Sequence, residues 1–353
     1  MITQKDIARD LDLSVGTVSK ALRKRSDVGI GTRARVMEAA QRLGYHLPFH
    51  ARADGGAEVD ESSGKKLTRV GVFALSSPMV RWDRGGFVYE VLEGVSQAAE
   101  LHEVFLSLHF SSKDQVVRYT HPASLPPVLK QRRLDGLITV LSFPEDVLAY
   151  LSHDFPCVTV NHEQPSGIID CVAVNLMRDY ENAVSRLVNL GHRCIGFFSS
   201  GRHVHSRRAL GAYVTAVTQS GAEVNLEWAV DCFESGKMSN EERVDAAVRL
   251  SREAGVTAWL CRTSYLGVQL YEGFREAGLA VPEDVSIMVH SLESTVLDTT
   301  PALSGIAMPL RELGRQALVQ LLARCATPKR PVQTLLLAGE FSEGTTLGRA
   351  PVS

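Results

Sequence analysis

The chain has 353 residues, a formal net charge of −2 and a hydrophobic fraction of 44%. This length predicts two or three domains with folded cores, and the near-neutral charge gives no sign of an acidic partner for the chain as a whole. No apolar run approaches the roughly 18 residues of a membrane span, and the first residues, MITQKDIARD, contain no signal-peptide core. We therefore expect a cytoplasmic protein.

The charge is unevenly distributed along the chain. Residues 1–52 contain ten Lys or Arg and five Asp or Glu, so the N-terminal end is basic and the remainder is acidic. A small basic end on an acidic body points to nucleic acid as the partner of that end alone.

Three short helical patterns occupy the basic end. Thr3 and Asp6 resemble a capping box that opens the first helix, Ser14 caps the second, and Thr32 caps the third. Helices this short are stable only when packed on one another. The tight link at residues 12–13 therefore predicts a helix-turn-helix.

The second helix begins within the stretch SVGTVSKAL, whose outward positions are small or basic. In a helix-turn-helix, the N-terminal residues of this helix enter the major groove. Val15 and Gly16 would lie at base edges, where Val can contact a thymine methyl group, and Lys20 would reach a guanine. A plain capped surface helix is the alternative. Short hydroxyls and helix N-termini are offered to phosphates by Ser14, Thr17, Ser19 and Thr32.

The run T-x-x-D-I-A-x-x-L-x-L-S-x-x-T-V-S-K-A-L, followed by T-R-x-R-V and L-G-Y, covers residues 3–45. It is similar to the DNA-binding domain of the lactose/galactose repressor (LacI) family. The resemblance implies an all-α, lambda-repressor-like helix-turn-helix domain over residues 1–46 that binds a palindromic double-stranded DNA operator. The DNA-binding residues it implies are Thr3, Ser14, Val15, Gly16, Thr17, Ser19, Lys20, Arg23, Thr32, Tyr45 and Arg52.

The hinge that follows departs from the family pattern. Ala51 and Arg52 keep their spacing from Tyr45, but Asp54 occupies the position of a Leu that wedges into the minor groove in the family. An Asp cannot serve as an apolar wedge. Residues 47–66 are therefore predicted to form a hinge and a flexible acidic linker, and whether the hinge orders on DNA stays open.

From Arg69 onward, β-rich apolar runs alternate with amphipathic helical patterns. The helices are predicted near residues 90–101, 180–190, 208–220 and 238–254, and the strings GVSQAAELHEVFLSLHF and AVSRLVNLGHRCIGFF both read as helix, turn and strand. Alternation predicts parallel sheets with right-handed crossovers, and this length predicts two doubly wound subdomains. The predicted strands are RVGVFAL, DGLITVL, CVTVN, CIGFF, AWLC and VSIMV.

Signals of an enzyme or of a metal site are weak. The chain has no G-x-G-x-x-G after a first strand, no P-loop and no G-x-S-x-G. His203 and His205 resemble a metal-binding pair but have no acidic neighbour, so we expect neither metal nor cofactor. Asp179, Glu181 and the pair at residues 241–242 are predicted to lie on exposed helix faces.

The six cysteines show no zinc or thioredoxin-type spacing, and several lie inside apolar runs such as PCVTV and AWLC. This placement predicts buried free thiols in a reducing compartment.

The family resemblance continues through LDGLITV, FPCVTVN, LVNLGHRCIGF, GLAVPEDVSI and PALSGIAMPLRELG. It implies an α/β, periplasmic-binding-protein-like core over residues 67–353 with a ligand cleft between two subdomains. The N-subdomain is expected near residues 67–162 and 293–325, and the C-subdomain near residues 163–292 and 326–347. No leucine heptad follows the core, so a homodimer is expected.

The effector residues follow from the same resemblance. Arg208 occupies the position of the family's cleft arginine, where it can hold sugar hydroxyls or a carboxylate. Thr263-Ser264 replaces an Asn-Asp pair, and Val289-His290-Ser291 replaces Gly-Phe-Asp. Trp82 is placed to stack on a sugar face, with ordinary packing as the alternative. The candidate effector residues are Trp82, Arg208, Thr263, Ser264, Ser291 and Met308.

The sequence thus predicts a DNA-binding transcriptional regulator, a repressor, whose affinity for a palindromic operator changes when a sugar or sugar derivative binds the core. A transcriptional activator and an effector-independent regulator of the same family are the alternatives. Outside this class, a solute-binding protein and an α/β enzyme are the rivals.

Overall fold

The computed structural model describes residues 4–22, 32, 35–36, 39, 68–76, 86–164, 166–201, 204–232, 238–292 and 301–351, excluding the side chains of residues 4, 19, 20, 22, 204 and 292. The chain divides into two compact units. One is formed by residues 1–82, 87–173 and 310–335, and the other by residues 83–86, 174–309 and 336–353.

The N-terminal head contains the predicted helix-turn-helix. Helix α1 (Gln4–Leu11) ends at Asp12, whose φ of 53° lies in the left-handed region that Asp tolerates. The amide of the next residue, Leu13, donates a hydrogen bond to the Ala8 carbonyl at 2.9 Å, and helix α2 (Val15–Leu22) follows. The buried core of the head consists of Ile7, Ala8, Val18, Ala21, Val36 and Ala39.

The first unit contains a six-stranded sheet with the strand order β11-β5-β4-β3-β1-β2. Its strands are β1 (Arg69–Ser76), β2 (Phe105–Ser112), β3 (Gly136–Val140), β4 (Cys157–Val160), β5 (Asp170–Val174) and β11 (Thr334–Leu337). The ladders from β2 through β5 are parallel. Its helices are α3 (Phe87–Leu101), α4 (Lys113–Val116), α5 (Pro127–Lys130), α6 (Glu145–Asp154) and α11 (Leu310–Ala326), with a 3₁₀ turn at Pro122–Ser124.

The second unit contains a sheet with the order β12-β10-β9-β8-β6-β7. Its strands are β6 (Ile195–Phe198), β7 (Ala229–Val230), β8 (Ala258–Cys261), β9 (Ser286–Leu292), β10 (Ser304–Ala307) and β12 (Glu340–Ser342). Strand β12 pairs antiparallel with β10, and the other ladders are parallel. Its helices are α7 (Leu176–Asn189), α8 (Val204–Ser220), α9 (Asn240–Glu253) and α10 (Ser264–Glu276), with a 3₁₀ turn at Leu226–Trp228.

Both sheets have the same doubly wound order. When the five parallel strands of each unit are numbered 1 to 5 in chain order, they lie side by side in the sheet in the order 2-1-3-4-5. The predicted fold class is confirmed, and all six predicted apolar runs form strands. In sheets of this kind, ligands bind outside the carboxyl ends of the strands, where the strand order reverses.

The units divide the chain at other positions than those predicted. Strand β5 pairs with β4 in the first sheet, and β10 pairs with β9 in the second. Residues 163–173 therefore belong to the first unit and residues 301–309 to the second, the reverse of the predicted assignment. The chain changes units after the fifth strand of each sheet. Neither strand was predicted, although β5 contains four consecutive apolar residues, 171–174.

Helices α3 and α11 pack closely through two glycines. A Cβ atom at Gly94 would lie 1.8 Å from the Arg311 carbonyl oxygen, and one at Gly314 would lie 2.0 Å from the Val91 carbonyl oxygen. Because backbone atoms cannot move aside as side chains do, this helix contact requires glycine at both positions.

The cysteines agree with the predicted free thiols. All six are free, and Cys157, Cys171, Cys232 and Cys261 are buried. Burial raises the pKa of Cys232 to about 12, so this thiol stays protonated at neutral pH. Within the described ranges, no helix is both long and apolar enough to span a membrane.

Candidate functional site

The start of α2 presents its first residues to solvent. The Ser14 hydroxyl caps the helix by accepting a hydrogen bond from the Thr17 amide at 3.0 Å, and it lies 2.8 Å from the Thr17 hydroxyl. Val15 is 41% exposed although it is apolar. The cap fixes the backbone here and leaves Val15 free to meet another molecule.

Gly16 is exposed next to Val15. Within the described part of the head, a Cβ atom at this position would meet only the Ser14 hydroxyl, at an ordinary contact distance of 3.7 Å. The packing of the head therefore does not require glycine here. A missing side chain on an exposed helix start suits the close approach of a second surface, as expected for a residue at a base edge.

The remaining predicted DNA-binding residues are only partly described. Thr32 is itself helical, so it lies within a helix, and the prediction that it caps the third helix is wrong. The side chains of Ser19 and Lys20 lie outside the described part, as do Thr3, Arg23, Tyr45, Arg52 and the hinge at residues 47–66.

Four of the predicted effector residues lie along the carboxyl edge of the second sheet, after or at the ends of β8, β9 and β10. The Thr263 hydroxyl caps α10 by accepting a hydrogen bond from the Leu266 amide at 3.3 Å. The buried Ser264 hydroxyl donates to the Ser291 carbonyl at 2.8 Å. Met308 follows β10 and is partly buried. The structure brings these residues to one edge but engages the two hydroxyls within the protein.

The other two predicted effector residues are less well defined. Arg208 is partly buried on α8, the helix that follows β6. Trp82 lies outside the described residues. The roles of all six remain predictions.

Asp179 was predicted to lie on an exposed helix face, and this prediction is wrong. Its side chain is fully buried at the start of α7, where it accepts hydrogen bonds from His290 Nε2 at 3.1 Å and from the Gly339 amide at 2.8 Å. A buried carboxylate needs such donors. Because His290 is 111 residues away in sequence, helical periodicity could not reveal the partner. The predicted exposure of Glu181 and of residues 241–242 is confirmed.

Unusual backbone conformations occur at the carboxyl ends of strands in both units. Leu141 follows β3 with a φ of 71°, and Asn161 follows β4 with a φ of 53°. In the second unit, Asp231 follows β7 with a φ of 55°, and Ser291 near the end of β9 has a φ of 64°. Left-handed backbone at non-glycine residues costs free energy and clusters at ligand-binding sites, which points to these edges as sites.

A buried ion pair holds the loop after β6. Asp231 Oδ2 accepts hydrogen bonds from Arg243 Nη1 at 3.1 Å and from the Gly201 amide at 2.8 Å. Arg243 also hydrogen-bonds to Asn240 and to the Met238 carbonyl. The pair therefore fixes the backbone of Gly201, just after the end of β6.

Several polar atoms at this edge are buried without a hydrogen-bond partner. They include the Ser206 hydroxyl in α8, the Tyr180 hydroxyl in α7 and Arg262 Nε after β8. The Ser199 hydroxyl after β6 is buried against the Cys232 thiol. Sequence analysis missed all four. The one available signal was Arg262, a charged residue placed directly after a fully buried strand.

The first unit contains a buried charge cluster in which both oxygens of the Asp170 carboxylate are paired with cationic or amide donors. Asp170 accepts hydrogen bonds from Arg324 Nη2 at 2.7 Å, Arg330 Nη2 at 2.6 Å and the Gln333 amide at 2.8 Å. Burial alone would raise the pKa of Asp170, but the bonds from the two arginines and the amide outweigh it and hold the pKa below its usual value. The cluster joins β5 to the segment before β11.

No group of three His, Cys, Asp or Glu side chains capable of holding a metal ion occurs among the residues that the structure describes. His205 lies on α8, and His203 falls outside those residues.

Comparison with family models assigns both ends of the chain. Residues 3–47 match the bacterial regulatory proteins of the lacI family, and residues 184–347 match a periplasmic binding protein-like domain. Among curated proteins, the ribose operon repressor of Haemophilus influenzae is 26% identical over 344 residues, which cover 96% of each chain.

Solved structures share the fold. A transcriptional regulator CelR–cellobiose complex has a TM-score of 0.65 at 20% identity, covering 98% of this chain and 100% of that one. A lac repressor dimer bound to operator and the anti-inducer ONPF also has a TM-score of 0.65, at 19% identity and 98% coverage of both chains. The helix-turn-helix head, the two doubly wound units and the matches at both ends agree: the chain belongs to the lacI family of bacterial regulatory proteins.

Proposed function

We propose that the protein is a transcriptional repressor that binds a palindromic DNA operator through its head and changes its operator affinity when a small molecule binds the core. The observation that carries the DNA-binding part is the start of α2, where a capped helix presents an exposed Val15 beside an exposed Gly16 that its own fold does not require. Those are the properties expected of a recognition helix at base edges.

The head binds both the phosphates and the bases of the operator. Hydroxyls at the start of α2 bind phosphates and set the register on the duplex. Val15 reads a thymine methyl group, and Lys20 reads a guanine. Because phosphate contacts release bound counterions, the logarithm of the operator affinity falls linearly with the logarithm of the salt concentration.

Two heads act together on the operator. The lac repressor structure is named as a dimer bound to operator, and this supports a homodimer here. A dimer binds two half-sites related by its own two-fold axis, so the operator is palindromic.

The small molecule binds at the carboxyl edge of the second sheet. In the second unit, the left-handed residues Asp231 and Ser291 lie at this edge. The groups that belong to this edge or to the helices packed on it also include Arg208 and the unpartnered polar atoms of Ser206, Tyr180 and Arg262. A sugar or sugar derivative is supported by the related structure in complex with cellobiose. The ligand acts by binding one conformation of the core more tightly than the other, which shifts the population of DNA-competent dimers.

This function requires no catalysis, and it requires the protein to be in the cytoplasm, where it can reach the DNA. The named relative is a repressor, and six free cysteines suit a reducing cytoplasm. Incubation of the protein with a library of sugars should leave every compound chemically unchanged.

The test is selection of DNA from a random pool by the full-length protein, with and without a panel of sugars and sugar derivatives. The proposal predicts one enriched palindrome whose binding is weakened or strengthened by at least one compound. Failure to enrich any site would overturn the DNA-binding function. An enriched palindrome that no compound affects would overturn the ligand-sensing part and leave an effector-independent regulator.

A further inference from the structure

The geometry points to an anion subsite at the carboxyl edge of the second sheet, in which Arg262 and the Ser199, Ser206 and Tyr180 hydroxyls bind a carboxylate or phosphate group of the effector. This inference rests on the proposed function, because it names the chemical class of the small molecule.

The subsite lies where the order of the strands in the sheet reverses, between β6 and β8. Strand β6 lies between β7 and β8, and Phe198 pairs with both Val230 and Cys261. Ser199 and Arg262 are the next residues along their strands, and the Arg262 amide donates to the Phe198 carbonyl at 3.0 Å. Both side chains therefore start from adjacent points of one sheet edge.

Alternation along the strands puts both side chains on the face covered by α7 and α8. Phe197 and Leu260 pack with Tyr180 and Tyr213 from those helices, whereas Phe198 and Cys261 belong to the opposite face. Side chains two residues apart along a strand lie on the same face of the sheet. Ser199 therefore lies on the face of Phe197, and Arg262 lies on the face of Leu260. Arg262 interacts electrostatically with Tyr180 and with Cys232, which lies two residues after β7. These groups are therefore neighbours.

Arg262 has no countercharge within the described part of the protein. No hydrogen bond or ion pair joins its guanidinium to those residues, and its Nε atom is buried. Burial lowers the pKa of Arg262, although Tyr180 and Cys232 oppose the shift. A desolvated guanidinium without an anion is costly, and its planar fork matches the oxygens of a carboxylate or phosphate.

Three buried hydroxyls belong to the same face: Ser199 follows β6, Tyr180 interacts electrostatically with Arg262, and Ser206 lies on α8. No described residue bonds to the Tyr180 and Ser206 hydroxyl oxygens, and the Ser199 hydroxyl contacts the Cys232 thiol. Buried hydroxyls are normally satisfied. Each can donate to an anionic oxygen, so a single ligand group would satisfy all four side chains.

The neighbouring carboxylates do not compete for Arg262. Asp231 is paired with Arg243, and Asp179 is paired with His290. Among the described residues, Arg262 is therefore left without an ion-pair partner, and on this basis we expect the subsite to prefer an anion over a neutral sugar.

The test measures ligand-induced thermal stabilisation and calorimetric affinity of the full-length protein with four probes: glucose, gluconate, glucose 6-phosphate and inorganic phosphate. Stabilisation by gluconate alone identifies a carboxylate subsite, and stabilisation by either phosphate probe identifies a phosphate subsite. Both results support the inference, and the pattern separates the two sources of the anion. Binding of glucose as tight as that of every anionic probe, or stabilisation by none of the anions, would overturn it.

Arg262→Met distinguishes a ligand-binding role from a structural one. We expect at least a 10-fold loss of affinity for the anionic probe, partial rescue in Arg262→Lys, and no fall in the unfolding midpoint without ligand, since the substitution removes an unpaired charge. Arg275→Met, at an exposed arginine of α10, should bind the probe like the unmodified protein. A fall in the midpoint with unchanged probe affinity would overturn the inference.

Failure of the inference and failure of the proposed function give different results. DNA selection reports on the head and needs no ligand. A protein that enriches a palindrome but responds only to neutral sugars disproves the anion subsite and keeps the repressor. A protein that binds the anion through Arg262 but enriches no DNA keeps the subsite and disproves the repressor.

Discussion

The two units have the same strand order but treat a buried charge in opposite ways. In the first unit, Asp170 is surrounded by two arginines and a backbone amide, so every strong interaction it needs comes from its own fold. In the second unit, Arg262 lies beside buried hydroxyls and lacks a carboxylate among the described residues. The first arrangement stabilises the fold. The second is suited to a ligand, because no described residue supplies the anion that the guanidinium lacks.

The largest effect is expected from breaking the paired cluster. Asp170→Asn removes the charge that neutralises Arg324 and Arg330, and it should reduce the free energy of unfolding by about 3–5 kcal/mol. Urea unfolding measures the loss. The control is Asp154→Asn, which breaks an exposed pair with Arg132 at 2.8 Å and should cost less than about 1 kcal/mol. Equal, small losses in both variants would show that the cluster is not structural.

In the second unit, substitutions at the proposed site should weaken ligand binding. Arg208→Ala is expected to weaken binding of the effector at least 10-fold, since a charge-assisted hydrogen bond contributes roughly 1.5–3 kcal/mol. Calorimetry with the compound found in the DNA selection measures the change. Arg207→Ala, at the exposed neighbour on α8, is the matched control. Unchanged effector affinity in Arg208→Ala would remove Arg208 from the site.

The head provides a third contrast, because its function depends on an external partner from the start. Lys20→Ala should weaken operator binding by roughly 1–3 kcal/mol and relax the base preference at one position of each half-site. Lys113→Ala removes an exposed lysine from α4 and should leave the selected sequence as it is. A Lys20→Ala protein that selects the same site with the same affinity would contradict the assigned base contact.

The smallest effect concerns pH. His192 is buried in the second unit, with Nδ1 2.8 Å from the Thr257 hydroxyl and Nε2 3.2 Å from the Gly348 carbonyl. Burial lowers its pKa, although the bond to Gly348 opposes the shift. The unfolded chain therefore binds a proton below about pH 6.5 before the folded protein does.

Stability should consequently fall as the pH drops from 7.5 through 6.5, whereas the Asp170 cluster, with its lowered pKa, keeps its contribution until far more acidic pH. Urea unfolding at a series of pH values tests this, with His192→Asn as the comparison. If the variant loses stability over the same interval as steeply as the unmodified protein, another group causes the dependence.

The sequence predicts the parts that depend on local patterns. Ser14, Val15 and Gly16 identify the recognition helix because capping and exposure are short-range properties. The six apolar runs identify strands, and strand–helix alternation identifies two parallel sheets. The family resemblance adds Thr263, Ser264, Ser291 and Met308, which the structure brings to one edge.

The parts that depend on distant pairing could not be predicted. Asp179 lies on an amphipathic helix, and nothing local shows that His290 meets it. Arg262 follows a strand like any loop residue until the neighbouring strand ends are known. The sheet that β5 and β10 join depends on the strands with which they pair, which their own sequences do not reveal.

The account joins DNA and ligand through a single coupling free energy, and one titration measures it. Operator affinity is determined with and without the anionic compound, and affinity for that compound is determined with and without operator. Linkage requires the same factor in both directions, so we predict equal factors above about 5 in the unmodified protein and a factor of one in Arg262→Met at the same compound concentration. A compound that binds through Arg262 and leaves operator affinity unchanged would contradict the account.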